Sequence, residues 1–308
     1  MSGEVPRQTN INVANIQRAS SAPARISVIV PHYNDLENLK ACIDRLDRQT
    51  LPRERFEIVV ADNNSACGLD AVRAAVPTAR VVPAPIQGAG PARNAAVAAA
   101  AGDIFAFIDS DCFADPDWLE QGLSALPTAD YIGGRVRTSV LDPSHPSMAE
   151  AYEAVFAFNF EKYILQDKFT GTGNLFTTRA VFEKVGEFRA GVSEDVDWCH
   201  RANAHGFKLA YAPLAIVSHP ARPDWESLAA KCRRIVREHR LLNQEKSFGN
   251  LRWIAWSGAI LISPMPHALR VMRSATITGW RARWSALVGL TAFRAYRAWN
   301  MWRVMLKG

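Results

Sequence analysis

Short β-branched runs alternate with helix-periodic stretches through the first half of the chain, and this alternation predicts most of its architecture. Residues 25–30 (RISVIV) form an apolar run ended by Pro31, the pattern of a buried parallel strand. Over 35–48, Leu36, Leu39, Ile43 and Leu46 recur at helical spacing. A second apolar run, 56–61, is broken by the turn chemistry of Asp62-Asn63-Asn64-Ser65. A helix over 69–75, a strand over 79–82, an alanine-rich helix from Pro91 and a strand over 103–108 follow. Four strand–helix alternations predict an α/β fold with a parallel sheet covered on both faces and right-handed crossovers.

Past Leu126 the alternation loosens. The pattern predicts a strand over 131–140, one helix rich in Phe and Tyr over 149–165, and a turn at Gly171-Thr172-Gly173-Asn174. A strand over 175–177, helices over 179–185 and from Ser193 to His205, and strands over 207–211 and 215–218 complete this part. Residues 1–24, where Asn, Ser, Gln and Pro are interspersed, read as a flexible tail.

Charge divides the chain further. The net charge of +6 conceals a basic end: over 222–308, sixteen Lys/Arg face four acidic residues, and no acid lies beyond Glu245. Six of the nine tryptophans, Trp253, Trp256, Trp280, Trp284, Trp299 and Trp302, also lie in this end, interleaved with arginines. Within them, 254–262 is apolar but too short to span a bilayer. From Gly279, Trp280, Trp284, Leu287, Ala298, Trp302 and Met305 share one helical face, while Arg294 lies near it and must snorkel. Such a helix suits a lipid interface; packing on the body, or as a dimer face, is the competing reading. Five scattered cysteines without metal spacing predict a reducing compartment and no zinc site. The N-terminus lacks a signal pattern, which predicts retention in the cell.

The candidate chemistry begins where the strand over 103–108 stops. Asp109 and Asp111 stand one residue apart there, and in extended backbone both would aim at one point beyond the strand end. Ligands of open α/β sheets sit in that place. Two carboxylates held together call for a cation, and hard divalent cations prefer oxygen, so Mg²⁺ or Mn²⁺ carrying a diphosphate is the expected occupant. Asp115-Pro116 reads as cap and first position of a helix over 118–126, which leaves the two acids for another task.

Six blocks in order, ISVIVPHYND, EIVVADNNS, GAGPARNAA, FIDSDC, GTGNLFTTR and EDVDWCHRANAHGFKLAYAPLAIVSH, resemble the inverting nucleotide-sugar glycosyltransferases of family 2. The resemblance implies a GT-A domain over 25–222; the charge and Trp pattern predicts a basic, Trp-rich, helical membrane-associating region over 223–308. It implies that Pro31, Tyr33 and Asn34 touch base and ribose, that Asp62 meets the base, and that Arg93 and Asn94 lie near the diphosphate. Asp109 and Asp111 match the metal and ribose motif, with Asp111 the direct ligand, and His219 matches a histidine that completes the metal shell or touches the diphosphate. Asp195 falls at the catalytic base, supported by Glu194, although Ser193 as a cap with acids in the first turn is also ordinary helix chemistry. Gly133, the 171–174 turn and Trp198 are expected to shape the sugar sites.

Absence of a QxxRW motif and of any run of 18 apolar residues predicts one sugar per encounter. By resemblance the donor is a nucleotide-diphosphate sugar, UDP-linked by preference. The acceptor is a glycan, taken as lipid-linked, in bacterial cell-surface or exopolysaccharide assembly. The expected location is cytoplasmic, peripheral on the inner face of the membrane. Nucleic acid is not an expected partner, despite the basic and aromatic mixture. Two rivals are a catalytically silent nucleotide-binding scaffold and a nucleotidyltransferase; the latter would need a Gly-rich basic loop after the first strand, and PHYND is not one.

Overall fold

The computed structural model describes residues 25–244 and 248–306; the tail predicted over 1–24 lies outside the described residues. Eight strands form one sheet: β1 (Ile26–His32), β2 (Phe56–Asp62), β3 (Arg80–Pro83), β4 (Ile104–Phe107), β5 (Phe113–Ala114), β6 (Tyr131–Ser139), β7 (Leu175–Thr178) and β8 (Leu209–Pro220). Their spatial order is β3-β2-β1-β4-β7-β6-β8-β5. The first four are parallel, as the alternation predicts, and β7 then pairs antiparallel with both β4 and β6.

Between the strands lie α1 (Leu36–Asp47), α2 (Leu69–Ala75), α3 (Ala89–Ala99), α4 (Trp118–Ala125), α5 (Met148–Phe156), α6 (Phe160–Leu165), α7 (Arg179–Val185) and α8 (Glu194–Ala204). Alternate residues of β1 feed opposite cores: Val28 and Val30 pack with α1, and Ile29 packs with Ala92 and Ala96 of α3. Because β2, β1 and β4 are neighbours, the loops leaving their carboxyl ends gather along one edge.

Three local expectations are corrected. The helix over 149–165 is two, broken at Phe158, whose φ of 53° is left-handed, with Asn159 capping α6 through Lys162 N–H. The strands over 207–211 and 215–218 are one, β8, which follows β6 past an irregularity at Gly134/Arg135. The Asp115 carboxylate does not cap α4; it pairs with Arg137.

Four further helices, α9 (Trp225–Gln244), α10 (Gly249–Ile262), α11 (Pro264–Arg273) and α12 (Gly279–Leu306), make a third core with α5. The α12 face that is buried carries Ala282, Ala286, Leu290, Phe293, Ala298 and Met301, and Trp253 donates from Nε1 to Met301 O at 2.9 Å. The tryptophans are split. Trp253 is interior, whereas Trp280, Trp284, Trp299 and Trp302 remain 66%, 57%, 51% and 44% exposed. Packing on the body and an exposed aromatic face therefore coexist, and Ala298 belongs to the packed side. Among the described residues no helix is long and apolar enough to cross a membrane.

Candidate active site

Side chains at the ends of β1 and β2 tie two loops together. Asp35 N–H donates to His32 Nε2 at 3.2 Å, so the buried His32 carries its proton on Nδ1 and donates it to Asp62 Oδ1 at 3.0 Å. Asp62 Oδ2 accepts from Ser65 N–H at 3.3 Å. Asn34, at φ 53°, donates its N–H to Ser65 Oγ at 2.9 Å and accepts from Ala66 N–H at 2.7 Å. Pro31 is half-buried beside them, and Tyr33 is exposed. Asn63 extends the set, donating to Ala84 O and Ile86 O and accepting from Gly88 N–H ahead of α3.

One α3 residue gathers the acids. Arg93 is buried and divides its guanidinium, Nη2 to Asp109 Oδ1 at 2.5 Å and Nη1 to Glu194 Oε1 at 2.6 Å. This fork brings the end of β4 against the start of α8, two places 85 residues apart in sequence. Asn94 does not face a ligand with its amide; it donates to Phe188 O at 2.9 Å and accepts from Phe188 N–H at 3.0 Å, fixing the loop before α8.

Asp195 is half-buried next to this fork, with Oδ1 accepting from Val196 N–H at 2.8 Å. Burial, then the charge of Glu194, push its carboxyl up to about 7, against the pull of Val196 N–H and Arg93. A carboxyl poised there can take a proton near neutral pH.

Asp109 and Asp111 do not share a strand face as the extended reading predicts. A turn closed by Cys112 N–H on Asp109 O at 3.0 Å separates them, and Asp111 Oδ2 faces His219 Nε2 at 3.2 Å. His219 Nδ1 donates to Pro220 O at 2.6 Å, because a carbonyl can only accept, and this turns the Nε2 side of the ring toward Asp111. Donor atoms of Asp111, His219 and Cys112 lie within 4.8 Å of one another. Burial, then Asp109 and Asp111, push the Cys112 thiol well up, so it stays protonated and is a poor donor. A carboxylate oxygen and a free imidazole nitrogen fit Mn²⁺ or Mg²⁺.

The 171–174 turn closes the cleft from the other side. A Cβ on Gly171 would lie 3.6 Å from Asp195 Oδ2, and one on Gly173 would lie 2.9 Å from Asp109 Oδ2. Thr172 is buried in the same turn. Two residues assigned to sugar contact lie in the core instead. Asn174, fully buried, accepts from Trp118 Nε1 and donates to Arg135 O and Ala215 O. Trp198, also fully buried, packs edge-on against Tyr131 and donates to Gly186 O. Their amide and indole groups were spent on the scaffold, a fact that block similarity does not reveal. His32, Ser65 and Asn63, conversely, tie together the loops after β1 and β2; the sequence marks Asn63 and Ser65 only as turn residues and His32 only as a polar residue near the end of an apolar run.

The model of the family described as Glycosyl transferase family 2 matches residues 27–186, more than half the chain, from the second residue of β1 through α7. The chain belongs to Glycosyl transferase family 2. The chain is 33% identical over 217 residues to the glycosyltransferase AglE of Haloferax volcanii, covering 68% of this chain and 71% of that one. It is 27% identical over 227 residues to the pre-mycofactocin glycosyltransferase of Mycobacterium tuberculosis, covering 68% of this chain and 46% of that protein. Among solved structures, the mannosyltransferase PcManGT from Pyrobaculum calidifontis, in complex with GDP-Man and Mn²⁺, superposes with a TM-score of 0.59 at 19% identity, over 93% of this chain and 88% of that one. The family-2 chain thus has the GT-A fold.

Proposed function

We propose that this glycosyltransferase transfers one sugar, with inversion, from a nucleotide-diphosphate sugar to a hydroxyl of a glycan acceptor. The observation that carries the reading is the Arg93 fork, which sets Asp109 and the Asp195 helix on one cleft beside Asp111 and His219. Pro31, Tyr33, Asn34 and Asp62 line the base and ribose end. Asp62 accepts from His32 at Oδ1 and from Ser65 N–H at Oδ2, and a remaining lone pair could accept a ring N–H, which supports a pyrimidine such as that of UDP.

Asp111 and His219 would hold the divalent ion, with Asp109 beside them; bound there, the ion supplies charge neutralisation for the departing diphosphate. Asp195 accepts the acceptor hydroxyl's proton as its oxygen attacks the anomeric carbon opposite the leaving group. Glu194, held by Arg93, supports the base by raising the Asp195 carboxyl, with Arg93 offsetting part of that repulsion. Gly171, Thr172 and Gly173 leave room for the sugar, since a side chain at Gly173 would crowd Asp109.

The exposed Trp face of α12, in a stretch without acids, supports contact with an anionic membrane and with a lipid-linked acceptor. The donor side is tested by titrating nucleotide diphosphates against the protein with and without Mn²⁺. Asp111→Ala is expected to abolish the metal-dependent part; unchanged affinity would remove Asp111 and His219 from the proposal. Slow hydrolysis of a sugar nucleotide by the wild type separates an enzyme from a silent scaffold.

A further inference from the structure

Helices α11 and α12 each carry two basic side chains three residues apart, His267 with Arg270 and Arg294 with Arg297. That spacing puts each pair on one helix face. The first pair lies on Phe156 of α5, and the second acts electrostatically on the neighbouring Tyr152. Tyr152 and Phe156 stack at 5.3 Å, the His267 ring lies 5.9 Å from Phe156, and the Arg270 guanidinium lies 5.3 Å over the same ring. Phe293, beside Arg294 in sequence, packs at 4.6 Å on Tyr152, and Arg297 lies 5.2 Å over Trp256.

This gathering of cations lacks a counter-charge. Among the described residues, Arg270, Arg294 and Arg297 form no ion pair with a carboxylate, and α10, α11 and α12 contain no acidic residue. Buried Nε atoms of Arg294 and Arg297, and Nδ1 of His267, have no hydrogen-bond partner. Burial, then Arg294, Arg270 and Lys162, lower the His267 imidazole, as expected where positive charges crowd one another. Half-buried like charges with unused donors cost stability, and an anion with several acceptor oxygens removes that cost.

An aromatic wall joins the cluster to the catalytic cleft. Gly171, next to Asp195, abuts the Phe160 ring. Phe160 lies 6.0 Å from Tyr163, and Tyr163 stands within the electrostatic reach of Arg270 and Arg297.

We propose that Arg270, Arg294 and Arg297, with His267, form an anion subsite for the acceptor, holding a phosphate or diphosphate group while the acceptor hydroxyl lies at Asp195. The inference rests on the transfer reading above and names its acceptor class. It also gives Arg294 a task other than snorkelling.

The test uses the full chain in EDTA, so that divalent ions play no part, and measures affinity for farnesyl diphosphate and for inorganic diphosphate. Arg294→Gln/Arg297→Gln should weaken binding about tenfold or more with Tm unchanged or raised, since like charges are removed. Arg270→Gln, at an exposed position, should weaken it several-fold. Tighter binding of the farnesyl probe identifies a lipid phosphate; equal affinities identify a soluble phosphate ester, and both support the subsite. Unchanged affinity in the variants overturns it. So does a collapse of Tm in the double variant with intact binding in Arg270→Gln, which would mark the arginines as packing residues. The same variants should keep Mn²⁺-dependent nucleotide binding; absence of that binding in the wild type would sink the donor-site reading instead.

Discussion

Asp195 illustrates how a residue's environment, rather than its identity, sets its chemistry. Its carboxyl is raised to about 7 by burial and by Glu194, and the wild type therefore holds a charge that folding disfavours above the usual carboxylate range. The sign follows. The cost is absent below the ordinary aspartate value, grows as pH rises toward 7, and is full above it. Asp195→Asn is accordingly expected to raise Tm at pH 8 and to lose that advantage near pH 4 in thermal melts across pH. A Tm that falls at pH 8 would contradict the assigned burial. For the wild type, the transfer rate should climb with pH through about 7 as the base loses its proton; a rate that is flat across that window would remove Asp195 from the role. Gly173 gives a steric counterpart. Gly173→Ala places a methyl 2.9 Å from Asp109 Oδ2, so donor affinity should drop with little change in Tm.

Among the elements, α3 and α8 depend on each other through Arg93. Replacing it by Met leaves Asp109 and Glu194 without their shared cation, a change expected to cost about 3 kcal/mol. Denaturant unfolding reads this directly, and an unchanged midpoint would show the fork to be idle. The alternation of apolar runs and helical spacing made β1 to β4 and their helices legible from sequence, because buried parallel strands leave a local hydrophobic trace. The break at Phe158 was not legible, since a left-handed Phe between two good helix segments has no composition signal. The strand β5 was missed because two residues are too few to show a period. At the site, the acids and His219 were legible by block order. The pairings were not: Arg93 to Glu194, His32 to Asp62 and Asn94 to Phe188 each join residues at least 30 positions apart, and spacing carries no record of them.

Taken together, the C-terminal helices are part of the body and also present a face to something else. Their core includes Ala149, Tyr152 and Val155 of α5, so deleting them would expose that core and confound any membrane assay. Substitution is the cleaner probe. Trp280→Ala/Trp284→Ala should leave Tm nearly unchanged and weaken binding to phosphatidylglycerol vesicles. High salt should also weaken it, since each nearby Lys/Arg contributes about 1 kcal/mol at an anionic surface. Equal binding to phosphatidylcholine vesicles at every salt concentration would argue against that surface. The proposed site would unite a cation-binding pair with a proton acceptor, and the two duties can be separated in one sample. Donor affinity and transfer rate measured together for Asp195→Asn should show nucleotide-sugar binding close to wild type with turnover lowered at least a thousandfold, on the order of a missing general base. Near-normal turnover by that folded variant would contradict the mechanism.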